Sequence, residues 1–198
     1  MPKSRSTRSA CWTNTFCQSG RLAAWSAALV CYAVAAGALA WGAAGGWSEP
    51  AFRVYYLFGG LLTAALLGLG SLLLSGRRWT LVPGLVYVGL AIGVALAAPI
   101  HGEITGTSIP EAQDHLTFFP ARLIAILGNS IGTIAVIGVA IATIRRRPVG
   151  NVLIITGVAV AAAGSAFAGL GAAESAVFVA IAALLLYGGF TARSHVAR

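Results

Sequence analysis

Long apolar stretches alternate with short polar segments along most of the chain. Six of these stretches contain no Asp, Glu, Lys or Arg. Since a transmembrane helix needs about 20 mostly apolar residues, the pattern predicts an all-α fold, a polytopic transmembrane bundle of six helices. The predicted spans are 22–46, 54–75, 79–100, 123–144, 151–173 and 175–192.

The composition agrees with a lipid environment. Hydrophobic residues make up 58% of the chain and charged residues 9%, and the mean hydropathy is +0.86. Soluble domains carry about 25% charged residues, and the interior of a small soluble protein is too limited to hide so much apolar surface. We therefore expect one membrane domain, 22–192, in the cell (plasma) membrane.

The charged residues separate onto two faces when the N-terminus is placed inside. Eleven of the Lys and Arg residues then lie on the cytoplasmic face, and every Asp and Glu lies outside with Arg53 and Arg122. Because cytoplasmic loops are enriched in Lys and Arg, both termini are predicted to be cytoplasmic. The segments 1–21 and 193–198 become basic tails. Anionic lipid at the inner face, rather than nucleic acid, is the expected partner of this charge.

Small residues recur four positions apart in three of the predicted spans. The pairs are Gly89 and Gly93 in the third span, Gly128 and Gly132 in the fourth, and Gly157 and Ala161 in the fifth. Helices in lipid associate through such small residues, so each pair predicts a close crossing with another helix. The alternative is that the pairs arise by chance in a chain rich in glycine and alanine.

The fourth span carries a polar notch in its middle, "GNSIGT" (128–133). Polar side chains are costly in a bilayer and therefore mark candidate sites. Asn129, Ser130 and Thr133 form a candidate solute-binding set, as polar helix segments do at the midplane of transporters. The alternative, which we favour, is that Asn129 bonds to a neighbouring helix.

Two arginines at the outer ends of the second and fourth spans form a candidate anion-binding pair, Arg53 and Arg122. Glu49 precedes Arg53 by four residues, which is the favourable order for a helical ion pair. The alternative is that both arginines extend their charged ends towards the membrane surface.

The loop between the third and fourth predicted spans, 101–119, is predicted to lie outside and to include a short interfacial helix. Ser108 and Glu111 have the spacing of a capping box at its start. The loop holds imidazoles and carboxylates that could bind a divalent metal such as zinc, although their spacing matches no defined signature. The alternative is an ordinary solvated loop. The candidate ligands are His101, Glu103, Glu111, Asp114 and His115.

Several classes of membrane enzyme lose support from missing residues. Lys3 is the only lysine, so no Schiff base with retinal can form within the spans. The predicted spans contain no histidine for bis-histidine haem and no carboxylate for a proton relay. The chain has no CxxC pair and no phosphate-binding loop of the Walker type. The sequence therefore favours a non-enzymatic protein without a cofactor, with zinc as the one alternative.

Three stretches carry a resemblance, namely "FRVYYLFGGLL" (52–62), "ARLIAILGNSIGTIAVIGVA" (121–140) and "RRRPVGNVLIITGVAVAAAG" (145–164). The chain resembles uncharacterised six-helix integral membrane proteins of high-GC Gram-positive bacteria. The resemblance covers residues 22–192. It implies a multi-pass membrane protein and carries no activity with it.

These observations leave three functional hypotheses. The first is a non-enzymatic membrane scaffold, sensor or partner subunit, which binds another membrane protein or forms a homo-oligomer. The second is a small-solute or ion transporter or channel that uses the polar notch of the fourth span. The third is a metal-binding enzyme at the outer face, built on the candidate ligands of the outer loop.

Overall fold

The computed structural model of the chain describes the backbone of residues 6–104, 106–168 and 175–192. Side chains are described in 22–104, 106–164, 177–178 and 180–192. Within these ranges the chain is helical and has no strands, only an isolated antiparallel bridge between Ile100 and Leu116. The predicted all-α class is therefore confirmed. The predicted tail 193–198 and the connection that carries Glu174 lie outside the described residues.

A π-helical segment interrupts the second long helix of the chain, where α2, the π segment and α3 follow one another without a break. A short 3₁₀ turn, Arg78–Thr80, precedes α4. A second π-helical turn, Phe118–Arg122, leads into α6. The other elements are α1 (Ser6–Gly45), α2 (Glu49–Tyr55), the π segment (Tyr56–Leu62), α3 (Thr63–Leu74), α4 (Leu81–Ala97), α5 (Ala112–His115), α6 (Leu123–Ala142), α7 (Pro148–Ala168) and α8 (Ser175–Thr191).

Four helical stretches of the described chain are long and apolar enough to cross a membrane. These four stretches overlap the first four spans predicted from the sequence, so the expectation of several membrane-length helices is confirmed. The described apolar parts of α7 and α8 are shorter, 148–164 and 180–191. The four stretches are Leu22–Gly45, Glu49–Leu74, Arg78–Ala97 and Phe118–Ala142.

Two helices differ from the lengths that the sequence suggested. Helix α1 has 40 residues, which at 1.5 Å per residue makes it about 60 Å long, twice the hydrocarbon core of a bilayer. It therefore continues well beyond its apolar part. The outer-loop helix α5 is a single turn that begins at Ala112, and Glu111 caps its start without a side-chain hydrogen bond. The capping box expected between Ser108 and Glu111 is absent because Glu111 itself is the capping position, and Ser108 lies three residues before it.

The chain divides into two compact units, Met1–Gly132 and Thr133–Arg198, which are described separately. In the first unit, α1 packs along α2, the π segment and α3, and α4 packs against the π segment and α3. The buried centre of this unit includes Phe52 and Leu61, which are almost fully enclosed. Gly132 of α6 lies directly against the backbone of α3, where a Cβ would come within 2.2 Å of the Ala64 carbonyl oxygen.

The second unit contains the hairpin of α7 and α8. Gly150, near the start of α7, lies against Gly189 near the end of α8, and Gly157 lies against Leu186. The contacts run in opposite directions along the two helices, so the pair is antiparallel. A Cβ on Gly189 would come within 2.7 Å of the Gly150 carbonyl oxygen. The absence of side chains at these two glycines therefore allows the backbones to approach closely.

Candidate functional site: the polar cluster around the π segment

The candidate site of the first unit is built around the backbone of the π segment. A π-helix shifts the hydrogen-bonding pattern from the fourth to the fifth residue, and π-helical turns within α-helices are frequent at functional sites. The shift leaves carbonyl groups available to side chains. In this structure the carbonyl oxygens of Phe58, Gly60 and Leu61 each accept a hydrogen bond from a side chain.

Asn129 of α6 reaches the π segment and donates its side-chain amide to the Gly60 carbonyl oxygen at 2.7 Å. Thr63 donates its hydroxyl to the Phe58 carbonyl oxygen at 2.7 Å. Both side chains are partly buried. Asn129 thus has the role that we favoured from the sequence, a bond to a neighbouring helix.

Two tyrosines complete the polar cluster. The Tyr87 hydroxyl of α4 lies 3.0 Å from the Leu61 carbonyl oxygen and 3.2 Å from that of Ile124. A hydroxyl has one hydrogen, so the two carbonyls share it. The Tyr56 hydroxyl donates to the Ala121 carbonyl oxygen at 3.2 Å. Neither tyrosine was among the predicted site residues.

The other members of the predicted solute-binding set take no part in these bonds. Ser130 is exposed on α6, whereas Asn129 is partly buried. Thr133 is partly buried and begins the second unit. Only Asn129 of the three is therefore placed in the polar cluster, and solute binding by Asn129, Ser130 and Thr133 stays a prediction.

Arg53 is engaged with the end of α4. One of its terminal nitrogens donates to the carbonyl oxygens of Ala95 at 2.8 Å and Ala98 at 3.0 Å, with Leu96 at 3.4 Å. The last carbonyls of a helix have no partner within the helix, and its C-terminus carries partial negative charge, so a cation here is favourable. The other nitrogens of Arg53 donate to Glu49.

Arg122 has different surroundings. Its guanidinium carbon lies 5.8 Å from the centre of the Phe118 ring, a cation–π contact, and the side chain is partly buried. Among the described residues, Arg122 forms no ion pair of the kind that Arg53 forms with Glu49. Of the two arginines predicted to bind an anion, Arg53 donates to the protein's own carbonyl and carboxylate oxygens, whereas Arg122 lies over the Phe118 ring.

The outer loop is closed at its base by backbone contacts. The His101 amide donates to the His115 carbonyl oxygen at 2.9 Å, next to the bridge between Ile100 and Leu116. The Nδ1 atom of His115 lies 2.9 Å from the His101 carbonyl oxygen, and the ring meets Phe52 edge-on. His115 is thus held by contacts with its own chain.

The predicted metal ligands are mostly exposed. His101, Glu103, Glu111 and Asp114 point to solvent, and Glu111 accepts a hydrogen bond from Gln113. Within the described residues, no three His, Cys, Asp or Glu side chains are grouped so that they could hold a metal ion. Zinc binding stays a prediction, and the metal content of the purified protein would test it.

A small cavity of about 10 Å³ lies beside Arg53, between α2 and the end of α4. That volume corresponds to about one water molecule. Its walls are largely apolar. They are formed by Phe52, Arg53, Tyr56, Ala95, Ala98, Ile100 and Leu116.

The second unit has its own polar contacts. Arg147, in the turn before α7, donates to the carbonyl oxygens of Phe190 and Ala192 at the end of α8. The buried side chain of Asn151 donates to the Thr143 hydroxyl at 3.0 Å.

Searches of protein-family models, curated proteins and solved structures find no match to this chain.

Proposed function

We propose that the chain is a non-enzymatic membrane scaffold, sensor or partner subunit of the plasma membrane that acts through contacts between transmembrane helices. The proposed topology has six spans, with α7 and α8 as the fifth and sixth and both termini cytoplasmic. The separation of acidic from basic residues supports this orientation.

One observation carries the proposal. The face of α4 that points away from the interior of the first unit is uncovered, and we call it the open face. The stretch that contains α4, Arg78–Ala97, is the least buried of the four membrane-length stretches: 17% of its most apolar run of 18 residues is buried, compared with 50% for Glu49–Leu74. Its inward face packs through Tyr87, Ala91 and Ala95. The opposite face exposes its large side chains, which are Val82, Leu85, Val86, Leu90, Ile92 and Leu96.

Gly89 and Gly93 lie in the middle of that open face. A Cβ built on either glycine would meet no atom of the described first unit within 4 Å. Glycines spaced in this way allow two transmembrane helices to approach closely, and the flanking large side chains then pack against the partner. The same face can serve both copies of a two-fold symmetric dimer, so we take a second copy of the chain as its partner.

Energy transfer between two labelled copies in liposomes would test this association. We expect transfer in the native chain and its loss in Gly89→Leu/Gly93→Leu, because two leucines would hold the helices apart. Gly138→Leu is the matched control, since Gly138 is exposed on α6 with similarly open space. Equal transfer in all three proteins, or none in the native chain, would contradict the proposal.

The topology can be tested by labelling single cysteines in whole cells with a membrane-impermeant maleimide. The native cysteines Cys11, Cys17 and Cys31 are first replaced. We expect Ser108→Cys in the outer loop to react in intact cells. Arg146→Cys should react only after the membrane is opened, and the reverse pattern would overturn the orientation.

The π segment supports a second candidate, a transporter or channel for a small solute or ion. Interrupted helices line substrate sites in many transporters, and Asn129 contacts the interruption directly. Ion and solute flux into liposomes, compared between the native chain and Asn129→Leu, would test it. Flux that disappears in the variant would favour this candidate over the scaffold.

A further inference from the structure

The connection between α3 and α4, residues 75–79, has a fixed backbone; we call it the basic turn. The Gly76 amide donates to the Leu73 carbonyl oxygen and the Arg77 amide to that of Leu72, both at 3.1 Å. Gly76 has a φ of 87°. This is the Schellman ending of a helix, in which glycine adopts the left-handed conformation. The Thr80 hydroxyl then donates to the Arg77 carbonyl oxygen at 2.7 Å and ties the turn to α4.

The basic turn presents two adjacent arginines to the surroundings. Arg77 and Arg78 are both exposed. Neither makes a side-chain hydrogen bond or ion pair with any described residue of the chain, in contrast to Arg53 and Arg147. The two guanidinium groups therefore remain available to a ligand from outside the chain.

The level of the turn in the bilayer is indicated by its aromatic neighbour. Trp79 is 69% exposed, and Val82, one turn further along, is 67% exposed. An exposed tryptophan at the end of a membrane-length helix belongs at the level of the lipid headgroups. Arg77 and Arg78 are adjacent in sequence, so their side chains reach the phosphates of the same leaflet. The start of α4 adds partial positive charge there.

We propose that the basic turn binds the phosphate of an anionic phospholipid. The guanidinium group matches phosphate oxygens with two parallel hydrogen bonds. A zwitterionic headgroup carries a compensating amine, so a lipid with net negative charge is the favoured ligand. The sequence predicts that this leaflet is the cytoplasmic one. The inference goes beyond helix association and requires only that the chain spans a bilayer.

Titration of the detergent-solubilised protein with phosphatidylglycerol, followed by native mass spectrometry, tests the site. Each arginine near a lipid surface contributes about a factor of five to binding, so Arg77→Gln/Arg78→Gln should weaken binding of the first lipid about 25-fold. Arg145→Gln/Arg146→Gln removes the same charge from two other exposed arginines and is the matched control. We expect the control to retain most of the affinity.

Two further sets of variants separate the loss of positive charge from a loss of folding. Arg77→Lys/Arg78→Lys keeps the charge but removes the paired hydrogen bonds of the guanidinium groups, so it should bind more tightly than the glutamine variant and less tightly than the native chain. If the double glutamine variant loses its helical circular dichroism, the single variants replace it, each with an expected fivefold loss.

Equal losses in the glutamine variant and its control would overturn the site, as would equal binding of phosphatidylcholine. Displacement of the lipid by inorganic phosphate would identify a general phosphate site and overturn the lipid assignment.

Discussion

Arg53 in the first unit and Arg147 in the second make the same kind of contact. Each donates to carbonyl oxygens at the end of another helix, α4 for Arg53 and α8 for Arg147. The interiors beneath them differ. The first unit combines a glycine contact, Gly132 of α6 against α3, with side chains that donate to carbonyl groups of other helices, as Tyr87 does. In the second unit, α7 and α8 approach through backbone contact at Gly150 and Gly189.

The difference shows how one membrane chain can use two ways of holding helices together. A polar group in lipid costs free energy unless it finds a hydrogen-bond partner. The π segment supplies three of the acceptors in the first unit, the carbonyl oxygens of Phe58, Gly60 and Leu61. Glycine contacts need no polar group, and they tolerate almost no change in side-chain volume. The first unit should therefore respond both to the loss of hydrogen bonds and to an added methyl group at Gly132, whereas the pairing of α7 and α8 should respond chiefly to added methyl groups.

The largest expected effect tests the backbone contact of the second unit. Gly189→Ala places a methyl group against the Gly150 carbonyl, which has little room to move, so we expect a loss of about 3 kcal/mol in the free energy of unfolding. Gly188→Ala is the control, because its nearest contact would be an ordinary 3.9 Å. The free energy of unfolding of both variants is measured in mixed micelles by circular dichroism. Equal stability of the two variants would contradict the role given to the Gly189 contact.

The next effect tests the arginine contact common to both units. Arg53→Gln and Arg147→Gln should each lose about 2 kcal/mol in the same assay, since hydrogen bonds from a charged group to helix carbonyls are lost. Glu49→Gln should cost only about 0.5 kcal/mol, because its carboxylate is exposed and such ion pairs contribute little. A larger loss for Glu49→Gln than for Arg53→Gln would assign the stabilisation to the ion pair instead.

A smaller effect concerns the polar interior of the first unit. Tyr87→Phe leaves the carbonyls of Leu61 and Ile124 without their shared donor, and we expect a loss of about 1 kcal/mol in unfolding free energy. Tyr187→Phe is the matched control in the second unit, where the side chain is 60% exposed. It should unfold like the native chain. An unchanged Tyr87→Phe variant would contradict the role given to the hydroxyl.

The smallest effect concerns Asn129. Hydrogen bonds between membrane helices contribute about 0.6 kcal/mol on average, so Asn129→Leu should destabilise the protein by about that amount. Ser130→Ala, one residue further on the exposed side of α6, should have no measurable effect. A loss above about 2 kcal/mol for Asn129→Leu, well beyond a typical interhelical hydrogen bond, would show that the π segment depends on this one bond.

Much of the fold follows from the sequence, because the thickness of the hydrocarbon core sets the length of each apolar stretch. The hydrogen-bond partners of the polar residues cannot be derived from the sequence. Arg53 and the carbonyl of Ala95 are 42 residues apart, and Asn129 and that of Gly60 are 69 apart. The sequence does not indicate which backbone carbonyl groups lie close to these side chains in the folded chain. The π segment cannot be predicted from the sequence either, because a shift of one residue in hydrogen bonding leaves the apolar pattern unchanged.

The candidate site was therefore predicted only in part. Asn129 was identified because an amide in an apolar span is conspicuous. Tyr56 and Tyr87 were missed because tyrosine is common near membrane surfaces, and its hydroxyl reveals a role only when its acceptor is known. Arg53 was given an anion-binding role from the sequence, which stays a prediction, and in the structure its donors are directed at Glu49 and the end of α4.

The central claim is that the open face of α4 contacts a second copy of the chain, and cysteine cross-linking along this helix in membranes tests it most directly. In a background without native cysteines, Val82→Cys and Val86→Cys lie on the face with Gly89 and Gly93, whereas Ala91→Cys is buried inside the unit. The account predicts covalent dimers at the two valine positions and none at Ala91. Cross-linking at none of these positions, or equal cross-linking at all three, would contradict it.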